Sequence, residues 1–345
     1  MRFGPVPVAE AEGAILAHSE RVASGRMRKG TVLGAAEIAA LRAAGYAEIT
    51  VARLDSGDLH EDAAADTVAR ALAEGAAGVT LSAPFTGRVN LIAARAGVVT
   101  LDADAINAAN AVDPMITVAT VAPFHQTRAG GMIATVKIIS YGVAGSVVAR
   151  AAAAARGAVR VATPRYATAS LILTEAAGGP GARRGTEAVA ARIAALDMTL
   201  VETVAVPHEE APLAQAINRA AGEIVLILTA SATSDVRDTA PAALGLAGGR
   251  LIRFGMPVDP GNLLFLGDLR GKPVIGLPGS ARSPVLHGAD WVLARVACGL
   301  PCGTEEIAAM GVGGLLKEIP TRPQPRRGPR DRDEERGSQG GSLVL

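Results

Sequence analysis

The sequence predicts an α/β fold: a three-layer α/β/α domain in the C-terminal half, preceded by a mixed α+β region over residues 1–150. Two observations predict it. From about residue 159 onward, apolar runs of strand length alternate with segments of helical period, the pattern of a sheet covered by helices. Within that alternation, Ile224-Val225-Leu226-Ile227-Leu228 has no polar break, as suits a parallel strand buried on both faces. The length of 345 residues suits about two domains, and 49% apolar residues are ample for their cores. Aromatics are only 3%, so those cores must pack small side chains closely.

Taken in order, residues 7–25 read as an amphipathic segment with Ala11, Ile15, Leu16 and Val22 on one side. A basic turn, Arg26 to Gly30, follows, then a helix over residues 35–44 stopped by Gly45. Residues 48–53 alternate as a strand, and 56–62 form a turn into a helix that ends near Gly75. Strands are expected at 86–89, 97–100, 116–121 and 132–139, and the whole of 1–150 could form two lobes. The α/β domain, 151–320, is expected to place strands at 171–173, 199–206, 223–229 and 272–277, with helices at 186–196, 211–220 and 284–299. Residues 321–345, rich in Arg, Pro, Gly and Ser, carry too little apolar surface to order themselves and are expected to be disordered.

Charge excludes some functions. With 34 basic and 33 acidic residues, the net charge of +1 gives no general pull towards nucleic acid or an anionic membrane. An anion site must therefore be local. Cys298 and Cys302 make no disulfide framework and are expected on one face of a helix. No apolar run reaches the ~18–20 residues of a membrane span, and the N-terminus lacks the apolar stretch of a signal peptide. The expectation is a soluble cytoplasmic protein.

The stretch most informative about chemistry runs from Thr229 to Pro241, directly after the most apolar strand. Ligands of open parallel sheets bind at the carboxyl ends of strands. There, the small residues Ala230, Ser231, Ala232, Thr233 and Ser234 would let backbone N–H groups approach an oxyanion. Arg237 supplies a cation, and Asp238 could hold a magnesium ion beside a phosphate. The residues alone allow equally a solvated strand-to-helix connection.

This stretch resembles the Thr-Gly-Gly-Thr-Gly…Arg-Asp-x-x-Pro loop of the molybdopterin-binding family that includes the molybdopterin adenylyltransferases and molybdotransferases. Thr229, Arg237, Asp238 and Pro241 stand at matching positions. Gly271-Lys272-Pro273-Val274-Ile275-Gly276-Leu277-Pro278-Gly279-Ser280 resembles the Gly-Lys-Pro-Val-x-Gly-Leu-Pro-Gly-Asn segment of the molybdotransferases, and it follows Gly255-Met256-Pro257-Val258-Asp259-Pro260-Gly261-Asn262. The likeness extends over about residues 159–300. It implies that Thr229, Ser231, Thr233, Ser234, Arg237, Pro278, Gly279, Ser280 and Arg282 bind the pterin phosphate of molybdopterin or the molybdenum cofactor. It implies also that Asp238, with Asp235, would hold Mg2+, Asp238 being the catalytic carboxylate. Three readings follow: a molybdopterin-binding protein of cofactor biosynthesis or maturation, an active molybdotransferase-type enzyme, or a regulatory module. The implied partners are the pterin, a molybdenum hydroxylase or a cofactor nucleotidyltransferase, and further copies of the chain in a homo-oligomer.

The departures from the family pattern favour binding over catalysis. The loop glycines are replaced by Ala230, Ser231 and Thr233, and His208 stands where the adenylyltransferases place their first catalytic aspartate. Lesser candidates remain. Asp58, His60, Glu61 and Asp62 could bind a metal or simply start a helix. Gly178-Gly179-Pro180-Gly181 with Arg183 and Arg184 could bind a phosphate, and Asn107, Asn110, His125 and Lys137 could line a cleft.

Overall fold

The computed structural model describes residues 1–175 and 185–316. The chain divides between Thr163 and Pro164 into two compact units.

In the first unit the N-terminal segment corrects the amphipathic reading. Pro5 and Pro7 remove backbone donors and Gly13 turns at φ +75, so the chain cannot carry a helix through this stretch. It forms the strands Arg2–Pro7 and Ile15–Leu16 on either side of Glu48–Arg53, plus a hairpin of Glu20–Val22 with Gly25–Met27. These strands and the helix Ala35–Ala43 enclose one core around Ala11, Leu16, Leu33, Leu41 and Val51. A separate, larger core centres on Val68, Leu72, Leu91, Val136 and Val148. It is built from a four-stranded antiparallel sheet and the helices Glu61–Leu72, Ala103–Asn110 and Gly145–Ala154.

The second unit holds a six-stranded sheet. Its elements are β1 (Thr168–Glu175), α1 (Thr186–Ala194), β2 (Thr199–Pro207), α2 (Glu210–Arg219), β3 (Ile224–Leu228), α3 (Thr239–Leu246), β4 (Arg250–Phe254), β5 (Phe265–Leu269), β6 (Lys272–Leu277), α4 (Gly288–Ala297) and α5 (Thr304–Ala308). The strand order is β2-β1-β3-β6-β5-β4. The first four strands are parallel, β5 pairs antiparallel with β6, and β4 pairs antiparallel with β5 at the edge.

Strand β3 is central, with all five residues buried. Val225 and Ile227 pack on the face covered by α2 and α3, together with Leu213, Ile217, Ala240 and Leu244. Alternation turns Ile224, Leu226 and Leu228 to the opposite face. The crossover β1-α1-β2 runs one way along the sheet and β2-α2-β3 runs back, so right-handed connections place α1 and α2 on opposite faces. That reversal makes a topological switch point between β1 and β3. Gly276 in β6 is fixed by packing. A Cβ there would lie 1.9 Å from the Phe265 ring, which is fully buried against it.

Two expectations near the C-terminal helix are corrected. The helix begins at Gly288 rather than 284, because His287 and Asp290 form its capping box. It ends at Ala297, with Cys298 as its cap, Gly299 left-handed at φ +65 and Pro301 beyond. Cys302 therefore lies outside the helix and shares no helical face with Cys298. The expected tail at 321–345 lies outside the described residues. Among the described residues, no helix is long and apolar enough to cross a membrane.

Candidate functional site at the carboxyl ends of the parallel strands

The switch point selects the carboxyl ends of β1 and β3 as the crevice where an open α/β sheet takes a ligand. The connection after β3, residues 229–238, lies there. Its two threonines are buried and turn inward: Thr229 Oγ1 donates to Ser231 O at 2.6 Å and lies 3.4 Å from Thr233 Oγ1. They shape the loop. Ser231, Ser234 and Arg237 are exposed on its outer side.

The carboxylates of the loop are already engaged. Asp238 caps α3, one oxygen accepting the Thr239 N–H at 2.8 Å and the other the Ser234 N–H at 3.0 Å. Asp235 accepts the Arg237 N–H at 2.9 Å and its Nε at 3.0 Å, and this guanidinium holds the Asp235 carboxyl below its usual range. Among the described residues, no three His, Cys, Asp or Glu side chains are grouped to hold a metal ion. Asp235 and Asp238 thus form a loop-fastening pair, and this donor set does not fit a magnesium ion. Asp238→Ala is expected to cost about 1 kcal/mol of stability, the ordinary worth of such a cap. Urea unfolding of the variant against the wild type measures it.

His208, just past β2, connects β1 to the loop. Its Nδ1 lies 2.8 Å from Thr174 Oγ1, and its Nε2 lies 3.0 Å from Ser231 Oγ. Thr174, the penultimate residue of β1, is buried and accepts the Ala230 N–H at 2.8 Å. Either tautomer completes this relay: with Nδ1 bare, the Thr174 hydroxyl donates to it and Nε2–H donates to Ser231 Oγ, and in the other the serine hydroxyl donates to Nε2. In both, His208 ties the Ser231 hydroxyl to the end of β1.

The second converging segment is Pro278 to Ser283, which follows β6. Arg282 Nη2 donates to Thr229 O at 2.7 Å, so this segment and the loop after β3 meet. Gly185, left-handed at φ +104, packs on the same turn. A Cβ there would lie 2.7 Å from Arg282 Cγ and 3.0 Å from its Cα. Arg282 therefore joins the two loops by its Nη2.

Behind this turn lies a network that the sequence reading did not include. Arg192 of α1 pairs with Asp290 of α4 and donates to Ala188 O, Ala281 O, Ser283 O and Val285 O. It fixes the course of residues 281–285 from inside. Asp290 Oδ2 also accepts the His287 N–H at 2.9 Å, and His287 Nδ1 accepts the Ala289 N–H at 3.1 Å. His287 is fully buried and its Nε2 has no partner among the described residues. Burial pushes its pKa down to about 4 against a partial upward pull from Asp290, so the ring is neutral. The spacing His287-x-x-Asp290 was a readable capping signal, as was Thr174 at the end of an apolar run. Arg192 carried no local signal.

The lesser candidates are dispersed. Asp58 binds the N-terminal ammonium at 2.7 Å, His60 caps a helix through the Asp62 N–H, and Asp62 accepts the Gly87 N–H at 2.6 Å. These are fastenings of the fold. Asn110 is likewise spent on Val118, donating to its carbonyl at 3.0 Å and accepting its N–H at 2.7 Å. The glycine-rich stretch with Arg183 and Arg184 lies outside the described residues.

A family model described as a domain of unknown function (DUF8806) matches residues 5–53, the segment around the first small core. No curated protein matches the chain. Among solved structures, the chain is similar to the molybdopterin biosynthesis MoeA protein from Pyrococcus horikosii. The TM-score is 0.32 and the identity 14%, over 86% of this chain and 75% of that one. A second MoeA structure, from Pyrococcus horikoshii OT3, is similar with TM-score 0.22 and 11% identity, over 81% and 69% of the two chains.

Proposed function

We propose that this chain binds molybdopterin or the molybdenum cofactor through its phosphate, at the carboxyl ends of β1, β3 and β6, and acts in cofactor biosynthesis or maturation as a binding protein. The observation that carries this reading is the junction between residues 229–238 and 278–283. These are the two segments that resemble the molybdopterin-binding family, and they meet at the switch point through Arg282 and Thr229, 2.7 Å apart. Ser231 offers a hydroxyl held in place by His208, Ser234 and Arg237 line the outer side of the loop, and α3 begins just behind them. Together they make a donor set for a phosphate at a helix start. Thr229 and Thr233 shape this cradle from below, and Pro278, Gly279 and Ser280 form its second wall.

Binding is preferred to molybdotransferase chemistry because Asp238 and Asp235 serve the loop's own amides and guanidinium. A molybdenum hydroxylase, a cofactor nucleotidyltransferase or a second copy of the chain is the partner class that would receive the bound pterin. Titration with molybdopterin, followed by the pterin's fluorescence, tests the reading. Ser231→Ala is expected to weaken binding by about 1.5–3 kcal/mol, the range for a hydrogen bond to a charged group. Arg237→Ala should weaken it too, and should reduce its sensitivity to salt. Unchanged affinity in both variants would place the ligand elsewhere.

A further inference from the structure

The first unit contains a cavity of about 360 Å³ that the proposed pterin site does not involve. It is lined by the turn Gly75-Ala76-Ala77-Gly78, by Arg95, and by Arg160, Val161 and Thr163. Its walls hold two guanidinium groups and no carboxylate. Neither arginine makes an ion pair or side-chain hydrogen bond among the described residues. The nearby Arg156, by contrast, is neutralised by both oxygens of Glu74, at 2.7 and 2.6 Å.

Two glycines border Arg160. A Cβ at Gly157, φ +66, would crowd the guanidinium at 3.2 Å from Nη2, while one at Gly75, φ +72, would lie at ordinary contact distance, 4.0 Å from both terminal nitrogens. The exposed guanidinium therefore lies against bare backbone. Arg160 is also anchored at its base by the antiparallel pairing of Val159–Ala162 with Gly97–Leu101, the strand that follows Arg95.

We propose that this cavity binds a small phosphate monoester. Two unneutralised guanidinium groups match the charge of about −1.5 to −2 that a phosphate monoester carries at pH 7, and their forked donors match its oxygens. The volume lies at the lower end of the range for small-molecule pockets, larger than a bare ion needs. Ala76, Ala77 and Val161 supply an apolar wall for the organic part.

The test uses the full chain labelled at alanine methyl groups, titrated with glycerol 3-phosphate and, separately, with inorganic phosphate. The methyl signals of Ala76 and Ala77 report this cavity alone. Saturable shifts with a Kd of about 1 mM or tighter are expected for the monoester, with weaker binding of inorganic phosphate. Arg95→Gln and Arg160→Gln should each weaken binding about tenfold or more while the remaining methyl spectrum stays unchanged. Glutamine keeps a polar, flexible side chain at these exposed positions, so loss of fold is not the expected cause. No saturable shift at Ala76 or Ala77 up to about 10 mM ligand, or equal affinity in wild type and both variants, would overturn the proposal. Equal affinity for both probes would overturn its organic-ligand part.

Discussion

Replacing Arg192 by alanine is expected to destabilise the second unit by about 3–5 kcal/mol, the cost of removing one partner from a buried ion pair. The side chains of Arg192 and Asp290 are only 11% and 10% exposed, so the orphaned carboxylate would have little access to water. The loss exceeds one pair, because Arg192 also satisfies the carbonyls of Ala281, Ser283 and Val285. Those carbonyls define the turn that carries Arg282 to Thr229. Arg192→Ala should therefore weaken the proposed pterin binding at the switch point as well as lower the urea midpoint. Lysine cannot substitute, since three donors on one nitrogen cannot span acceptors arranged for a planar fork. Full stability in Arg192→Lys would show that charge alone matters and that the carbonyl contacts are incidental.

Acid is expected to act through His287. Its pKa is about 4 in the folded chain against 6.5 for the free side chain. Below pH 6.5 the unfolded chain binds a proton that the folded chain refuses until about pH 4. Stability therefore falls as pH drops through this window, and the single histidine accounts for about 3 kcal/mol of that fall. Carboxylates add their own slope below pH 5, so the diagnostic is a comparison. His287→Asn keeps an oxygen able to accept the Ala289 N–H but cannot take up the proton. Its urea midpoint should change less than that of the wild type between pH 7 and 4.5. Parallel slopes in the two proteins would remove His287 from the acid response.

Much of the second unit was readable in the sequence because its strands are apolar and its helices periodic. Lys272–Leu277 occupies the expected residues, and Ile224–Leu228 lies within the expected 223–229, central and buried. Two of the unread elements have conflicting local signals. Helix Thr239–Leu246 contains Pro241 and Gly245, and Arg250–Phe254 is an edge strand of half-buried residues interrupted by two arginines. At the N-terminus, apolar residues at mixed spacing imitated a helical stripe, and Pro5, Pro7 and Gly13 decided for strands.

The candidate site was legible where it rests on contiguous motifs. The two family-like segments could be placed at strand ends, and their meeting follows from sheet topology. Arg192 was invisible because its role depends on carbonyls about ninety residues later in the chain. The part played by His208 was equally hidden. Its identity showed as a departure from the family pattern, but its purpose depends on Thr174 of strand β1 and Ser231 of the loop after β3.

The proposed binding of a phosphate-bearing pterin is tested by what the protein carries. The full chain would be purified from a host that makes molybdopterin, and the pterin released on denaturation would be identified and quantified by mass spectrometry. Molybdopterin or its molybdenum-bearing form is expected in the wild-type protein, markedly reduced in a Ser231→Ala, Arg237→Ala double variant that retains its fold. Wild-type protein that releases no pterin, or a double variant that releases as much as the wild type, would contradict it.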